Sequence, residues 1–116
     1  GNLYWKDSIS ISIQTLNAEE NNIPKYFSLG NAYPNPFNPN TTIQYGLSSM
    51  EFVTIEIYDL MGRKIKSLVN EKLDPGIYSS NWDATDNMNQ PVSGGMYFYQ
   101  MQAGDFKETK KIILIK

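Results

Sequence analysis

Phe52-Val53-Thr54-Ile55-Glu56-Ile57-Tyr58 alternates apolar and polar residues from Val53 to Ile57, and Asp59-Leu60-Met61-Gly62-Arg63 separates it from a second strand-like run, Lys64 to Val69. A two-residue period places Val53, Ile55 and Ile57 on one face of an extended chain. The separating residues are turn chemistry, in which Gly62 is free to take positive φ. Such a short connection makes the two runs antiparallel neighbours. Outward from this hairpin the pattern repeats in Thr42 to Leu47, Ile77 to Trp82, Met96 to Gln102 and Phe106 to Ile115, with breaks at Asp74-Pro75-Gly76, Asp83 to Pro91 and Ala103-Gly104-Asp105. No window sustains helical spacing, so the chain is read as all-β, an antiparallel β-sandwich of about seven strands. The seventh is Leu3 to Ile13, where Ser8-Ile9-Ser10-Ile11-Ser12-Ile13 sorts Ile from Ser. The expected inward set is Ile43, Tyr45, Leu47, Val53, Ile55, Ile57, Ile65, Tyr78, Trp82, Tyr97, Tyr99, Ile113 and Ile115.

With 116 residues, 41% hydrophobic, the chain is long enough to hold one core without staples. It has no Cys and no His, which removes disulfides and the usual zinc ligands and triad bases. A formal net charge of −2 and the absence of a concentrated basic stretch argue against nucleic acid as a partner. The longest wholly apolar run, Ile112 to Ile115, cannot cross a bilayer. No basic-then-apolar leader follows Gly1, so any amino-terminal targeting signal is expected elsewhere.

Candidate chemistry is sparse. Glu56, Asp59, Asp83 and Asp86 fall in turns or on solvent faces, where two carboxylates do not converge across a cleft. Asp83-Ala84-Thr85-Asp86-Asn87-Met88-Asn89 brings oxygen ligands together but lacks the alternating ligands, central Gly and terminal Glu of a calcium loop. No metal and no cofactor is therefore expected, and no enzyme activity. Tyr4, Trp5, Trp82, Tyr97, Phe98 and Tyr99 are the aromatics from which a sugar-stacking platform would be built, yet alternation puts Tyr97 and Tyr99 on one face and Phe98 on the other, which favours core packing. Asn17 to Lys25 is polar and acidic and reads as a linker, while Pro34, Pro36 and Pro39 exclude a central strand. The last run, Thr109-Lys110-Lys111-Ile112-Ile113-Leu114-Ile115-Lys116, sets aliphatic residues between lysines. Such lysines guard an edge strand, or they flank a strand offered to a receptor. In the second reading Lys110, Lys111, Ile112, Leu114 and Lys116 are the signal, with Ile113 and Ile115 turned inward.

These motifs fall in a familiar order. Phe27 to Pro39, with Tyr33-Pro34-Asn35-Pro36-Phe37-Asn38-Pro39 at its centre, then Thr41-Thr42-Ile43, Ile57 to Arg63, Gly76-Ile77-Tyr78, Trp82-Asp83, Ser93-Gly94-Gly95-Met96-Tyr97-Phe98-Tyr99 and the lysine-bounded terminus resemble the type A carboxy-terminal sorting domain of the bacterial type IX (Por) secretion system. The motif residues are Pro34, Asn35, Pro36, Phe37, Gly62, Gly95 and Tyr97. The resemblance covers residues 27 to 116 and implies an immunoglobulin-like sandwich that addresses an upstream cargo domain through the periplasm and the type IX translocon to the cell surface or medium. It also implies a sortase-like peptidase that cuts upstream. One departure is Trp82-Asp83-Ala84 in place of Trp-Asp-Gly, which puts a positive-φ turn in question. The division expected is residues 1–16 as a strand of the cargo or one added to the sandwich, 17–26 as linker and processing region, and 27–116 as the sorting domain. Residues 1–16 also offer a route to a dimer. A carbohydrate-binding module and the immunoglobulin-like domain of hook-capping proteins, which shares Ile57-Tyr58-Asp59 and Gly95-x-Tyr97, are the alternatives.

Overall fold

The computed structural model describes residues 23–116, so Leu3 to Ile13 and the route to a dimer through it lie outside the described residues. The strands are β1 (Ser28–Leu29), β2 (Thr41–Leu47), β3 (Glu51–Tyr58), β4 (Lys64–Leu73), β5 (Gly76–Trp82), β6 (Gly95–Ala103) and β7 (Phe106–Leu114), and no helix occurs among the described residues. They form two antiparallel sheets, ordered β1-β2-β5 and β4-β3-β6-β7. Six of the expected runs are strands with boundaries close to those read from the alternation. The seventh strand within the described residues is the two-residue β1, which is too short to carry an alternation signal.

Inward residues of both sheets interleave as a single core. Ile43, Tyr45 and Leu47 of β2, Val53, Ile55 and Ile57 of β3, Trp82 of β5, and Tyr97 and Tyr99 of β6 are buried as expected. Ile65 and Tyr78 pack against that core from its margin. Strand β4 runs to Leu73, past the expected Val69. It lies at a sheet edge, where Asn70, Glu71 and Lys72 stay solvated while their backbone continues to pair with β3.

The expected inward facing of Ile113 and Ile115 is wrong. Ile112 and Leu114 are the buried residues, whereas Ile113 is 38% and Ile115 52% exposed. The reason is the β6–β7 register. The turn at Gly104-Asp105 puts Ala103 opposite Phe106, and from there Tyr97 faces Ile112 and Gly95 faces Leu114. Cross-strand partners share a face, so the inward phase of Tyr97 and Tyr99 is handed to Ile112 and Leu114. Gly104, at φ +58°, occupies the first central position of this turn, and a Cβ there would stand 2.7 Å from a Glu51 carboxylate oxygen.

Ala84 settles the departure at the Trp-Asp-Gly position. Its φ is +63°, so the turn keeps the left-handed conformation with a methyl-bearing residue. That methyl is buried, and Val92 N–H donates to the Ala84 carbonyl at 3.0 Å.

Candidate functional site

Strand β7 is an edge of the four-stranded sheet, but its carboxy-terminal half is not open. The proline segment clasps it. Asn35 Nδ2 donates to the Lys111 carbonyl at 3.3 Å, and Asn35 Oδ1 accepts from the Ile113 N–H at 3.0 Å. Phe37 N–H donates to the Ile113 carbonyl and accepts, through its own carbonyl, the Ile115 N–H, both at 2.9 Å. Pro34 and Pro36 have no N–H to offer, so Asn35 and Phe37, which alternate with them, make the pairing. At its other end the segment holds the three-stranded sheet. Tyr33 exchanges backbone hydrogen bonds with Thr42, and the buried Thr41 hydroxyl donates to the Pro34 carbonyl at 2.8 Å. Residues 33–37 therefore tie the chain's last strand to the opposite sheet.

Two further contacts brace this clasp. The Tyr99 hydroxyl donates to the Gly30 carbonyl at 2.8 Å and accepts from Ala32 N–H at 2.9 Å. The Lys110 ammonium donates to Asn31 Oδ1 at 2.9 Å, with Glu108 at 3.7 Å. Lys110 thus lies in the inward phase of β7 and serves as an anchor. Ile112 and Leu114 are core residues and present nothing to a partner. Of the five terminal signal candidates, Lys111 and Lys116 have exposed side chains. Ile113 and Ile115, which the sequence reading assigned to the core, stand with them on the outer side. Lys111 is opposite Phe98, which is opposite Tyr58, and Ile113 is opposite Met96, so the outer surface at this end mixes a cation with half-covered apolar side chains. The facing of Ile113 and Ile115 was not legible locally, because a run of four consecutive aliphatics satisfies either phase.

The other motif residues build the fold. Phe37 is buried against Trp82, ring centroids 5.4 Å apart, and Trp82 meets Tyr97 edge-on at 5.2 Å. Tyr97 hydroxyl donates to the Ser93 carbonyl at 2.6 Å. Gly62, at φ +84°, completes a turn in which Asp59 Oδ1 accepts from the Met61 and Arg63 N–H groups, each at 2.9 Å. Gly95 has φ +145° at the start of β6. Trp82, Tyr97 and Tyr99 are all in the core, so they form no stacking platform.

The Asx-rich loop already holds a cation. Lys66 reaches in from β4, and its ammonium donates to Thr85 Oγ1 at 3.0 Å, the Asp86 carbonyl at 3.1 Å and Asn89 Oδ1 at 3.3 Å. Asn87 Oδ1 accepts from Ser67 N–H at 3.0 Å and its own N–H donates to Ile65, which stitches the loop to the same edge. Among the described residues no group of three or more Asp, Glu, His or Cys side chains stands close enough to hold a metal ion.

Local hydrogen bonds also set the acid response. The Arg63 backbone N–H, then its guanidinium, hold Asp59 below the ordinary carboxylate range. The Thr85 hydroxyl does the same for Asp83, helped by the charge of Lys66. At Glu56 burial pushes upward, but hydrogen bonds from Tyr58 and Lys64 outweigh it and the net shift is down. A folded-state pKa below the unfolded one contributes stability that is complete above the unfolded value and is lost as pH falls through the folded one. No His is present to titrate near neutrality. Urea midpoints are therefore expected to be level from about pH 8 to about pH 5 and to fall below about pH 4. A midpoint that rises on acidification would contradict this account.

The comparisons with known proteins bear on family and fold. A family model described as the secretion system C-terminal sorting domain matches residues 31–116. No curated protein sequence matches the chain. Among solved structures, dimeric latent PorU from Porphyromonas gingivalis superposes with a TM-score of 0.63 at 22% identity, over 77% of this chain and 9% of that one. PorZ, an essential surface component of the type IX secretion system of the same organism, superposes with a TM-score of 0.52 at 18% identity, over 78% of this chain and 11% of that one. The chain thus spans about a tenth of the length of these structures, and the likeness is one of fold.

Proposed function

The chain belongs to the family of secretion-system C-terminal sorting domains, and from that premise we propose how this module is read. It is a type IX sorting domain, an address for export to the cell surface or beyond. The observation that carries the proposal is the division of labour on β7. Its backbone from Lys111 to Ile115 is occupied by Asn35 and Phe37. Its outward side chains, Lys111 and Ile113, and the exposed Ile115 and Lys116 beyond them, are free to meet a partner. The translocon accordingly reads side chains on a folded surface, without adding a strand to this end of the sheet.

Lys110, Ile112 and Leu114 support that surface from within. The cargo precedes the sandwich, with residues 1–16 as its last strand or an addition to the sheet. The sortase-like peptidase acts in the linker, whose described end exposes Ile23, Lys25 and Tyr26. Backbone that is to enter a protease cleft has to be accessible in this way. The domain itself is non-catalytic. The four carboxylates weighed as catalytic candidates are spent locally: Glu56 on Tyr58 and Lys64, Asp59 on its own turn, Asp83 on Thr85, and Asp86 on the N–H groups of Met88 and Gln90.

The test is a reporter carrying this chain at its carboxy terminus in a host with type IX machinery. The fusion is expected in the medium or at the surface, and the Lys111→Ala, Lys116→Ala double variant in the periplasm. These charges are exposed, so stability should change by less than about 0.5 kcal/mol. Export of the folded double variant at the wild-type level would refute the side-chain reading. Failure of the unaltered chain to export the reporter would refute its sufficiency as an address.

A further inference from the structure

Four strands edge the two sheets: β1 is only two residues long, and two of the other three are defended. Strand β4 carries Lys64, Lys66, Glu71 and Lys72, and its pairing with β3 is broken by two register shifts. Strand β7 carries Lys107, Glu108, Lys110 and Lys111, and the proline segment covers its far half. Natural edge strands use such charges, bulges and covers to avoid pairing with other chains. The third of these has none of them among the described residues. Strand β5, Gly76-Ile77-Tyr78-Ser79-Ser80-Asn81-Trp82, has no charged residue, no proline and an unbroken register against β2.

Its open side is defined by the sheet. Gly30 N–H donates to the Gln44 carbonyl and Tyr33 exchanges bonds with Thr42, so the even-numbered residues of β2 turn their backbone toward β1. The odd-numbered ones, Thr41, Ile43, Tyr45 and Leu47, bond their β5 partners Trp82, Ser80, Tyr78 and Gly76. By alternation Ile77, Ser79 and Asn81 point their N–H and C=O groups away from the sheet. Their side chains are exposed on the outer face, Ile77 at 64%, beside Thr42, Gln44 and Gly46. That face is free of charge in a chain that is 19% charged.

We propose that β5 is a self-association edge, on which a second copy of this chain pairs antiparallel about a two-fold axis at Ser79. A second copy fits because the edge is complementary to itself. Ser79 stands opposite its mate and Ile77 opposite Asn81, so every outward N–H meets an outward C=O, and no like charges face each other within the paired strands. The two three-stranded sheets become one continuous sheet. Its outer edges are the two-residue β1 strands, which stops growth at the dimer. The surface is formed wholly by described residues and is separate from the terminal strand.

One strand pair is a small interface, so the association is weak. Sedimentation of the full chain from about 10 μM to about 1 mM is expected to show a reversible monomer–dimer equilibrium. Ser79→Lys opposes two ammonium groups at the axis and should raise Kd about fivefold. Ser79→Pro removes only the outward N–H, which edge strands tolerate, and by symmetry deletes two inter-chain bonds, for roughly a tenfold rise. Ser79→Thr should retain the dimer, and all three variants should melt near the wild type. A chain that stays monomeric throughout this range would overturn the proposal, including by way of an intramolecular strand on β5. So would an association that neither Ser79→Lys nor Ser79→Pro weakens, since it would use another surface.

Discussion

Replacing Trp82 with Ala is expected to destabilise the domain by about 3–5 kcal/mol. The side chain is fully buried, with Phe37 at 5.4 Å and Tyr97 at 5.2 Å between ring centroids. Its Nε1–H donates to the Thr85 carbonyl at 2.9 Å. Truncation leaves a cavity between the sheets at the one place where the proline segment, β5 and β6 meet, and it strands the Thr85 carbonyl. A domain of this size has a total stability of about 5–15 kcal/mol, so a fifth or more of it rests on this residue. Urea denaturation of the variant gives the measurement, and a midpoint equal to that of the wild type would show that the three aromatic rings do not act as a unit. Loss of Trp82 should also loosen the clasp on β7, because Phe37 holds Ile113 and Ile115 through its backbone while its ring rests on the indole.

The second large effect is a contrast between adjacent residues. Ile112→Ala and Leu114→Ala should each cost about 2–5 kcal/mol, as expected of buried aliphatics. Ile113→Ala and Ile115→Ala, with side chains on the solvent face, should each cost less than about 1 kcal/mol. Four denaturation curves decide the phase of the last strand, because the opposite facing reverses the order. The same four variants separate folding from sorting. On the side-chain reading Ile113→Ala and Ile115→Ala lower export of a reporter while the domain stays folded, whereas the two core variants lower export only as far as they unfold it.

The alternation in Thr42 to Leu47 and Val53 to Ile57 was enough to place strands and assign their inner faces, because each carries one apolar residue in every two and so has one phase. The turn residues and the lack of His and Cys were equally local signals. For the same reason the ordered motifs identified the family before any contact was known. Strand β4 illustrates the boundary of that legibility. Its last four residues are mostly polar and look like loop, yet pairing with β3 extends them as an edge.

The amino-acid sequence by itself determined the class of fold, the six long strands, most of the core and membership of the sorting family, since each rests on side-chain pattern within one segment. Only the tertiary structure decided the facing of Ile112 to Ile115, the closure of the terminal edge by Asn35 and Phe37, and the capture of Lys66 by the Asx-rich loop. The physical reason is common to all three. A uniform aliphatic run, a proline segment and a cluster of oxygen atoms each admit several local states of similar energy. Register fixed at a distant turn, backbone groups placed 76 to 78 residues away and an ammonium 19 to 23 residues away select among them.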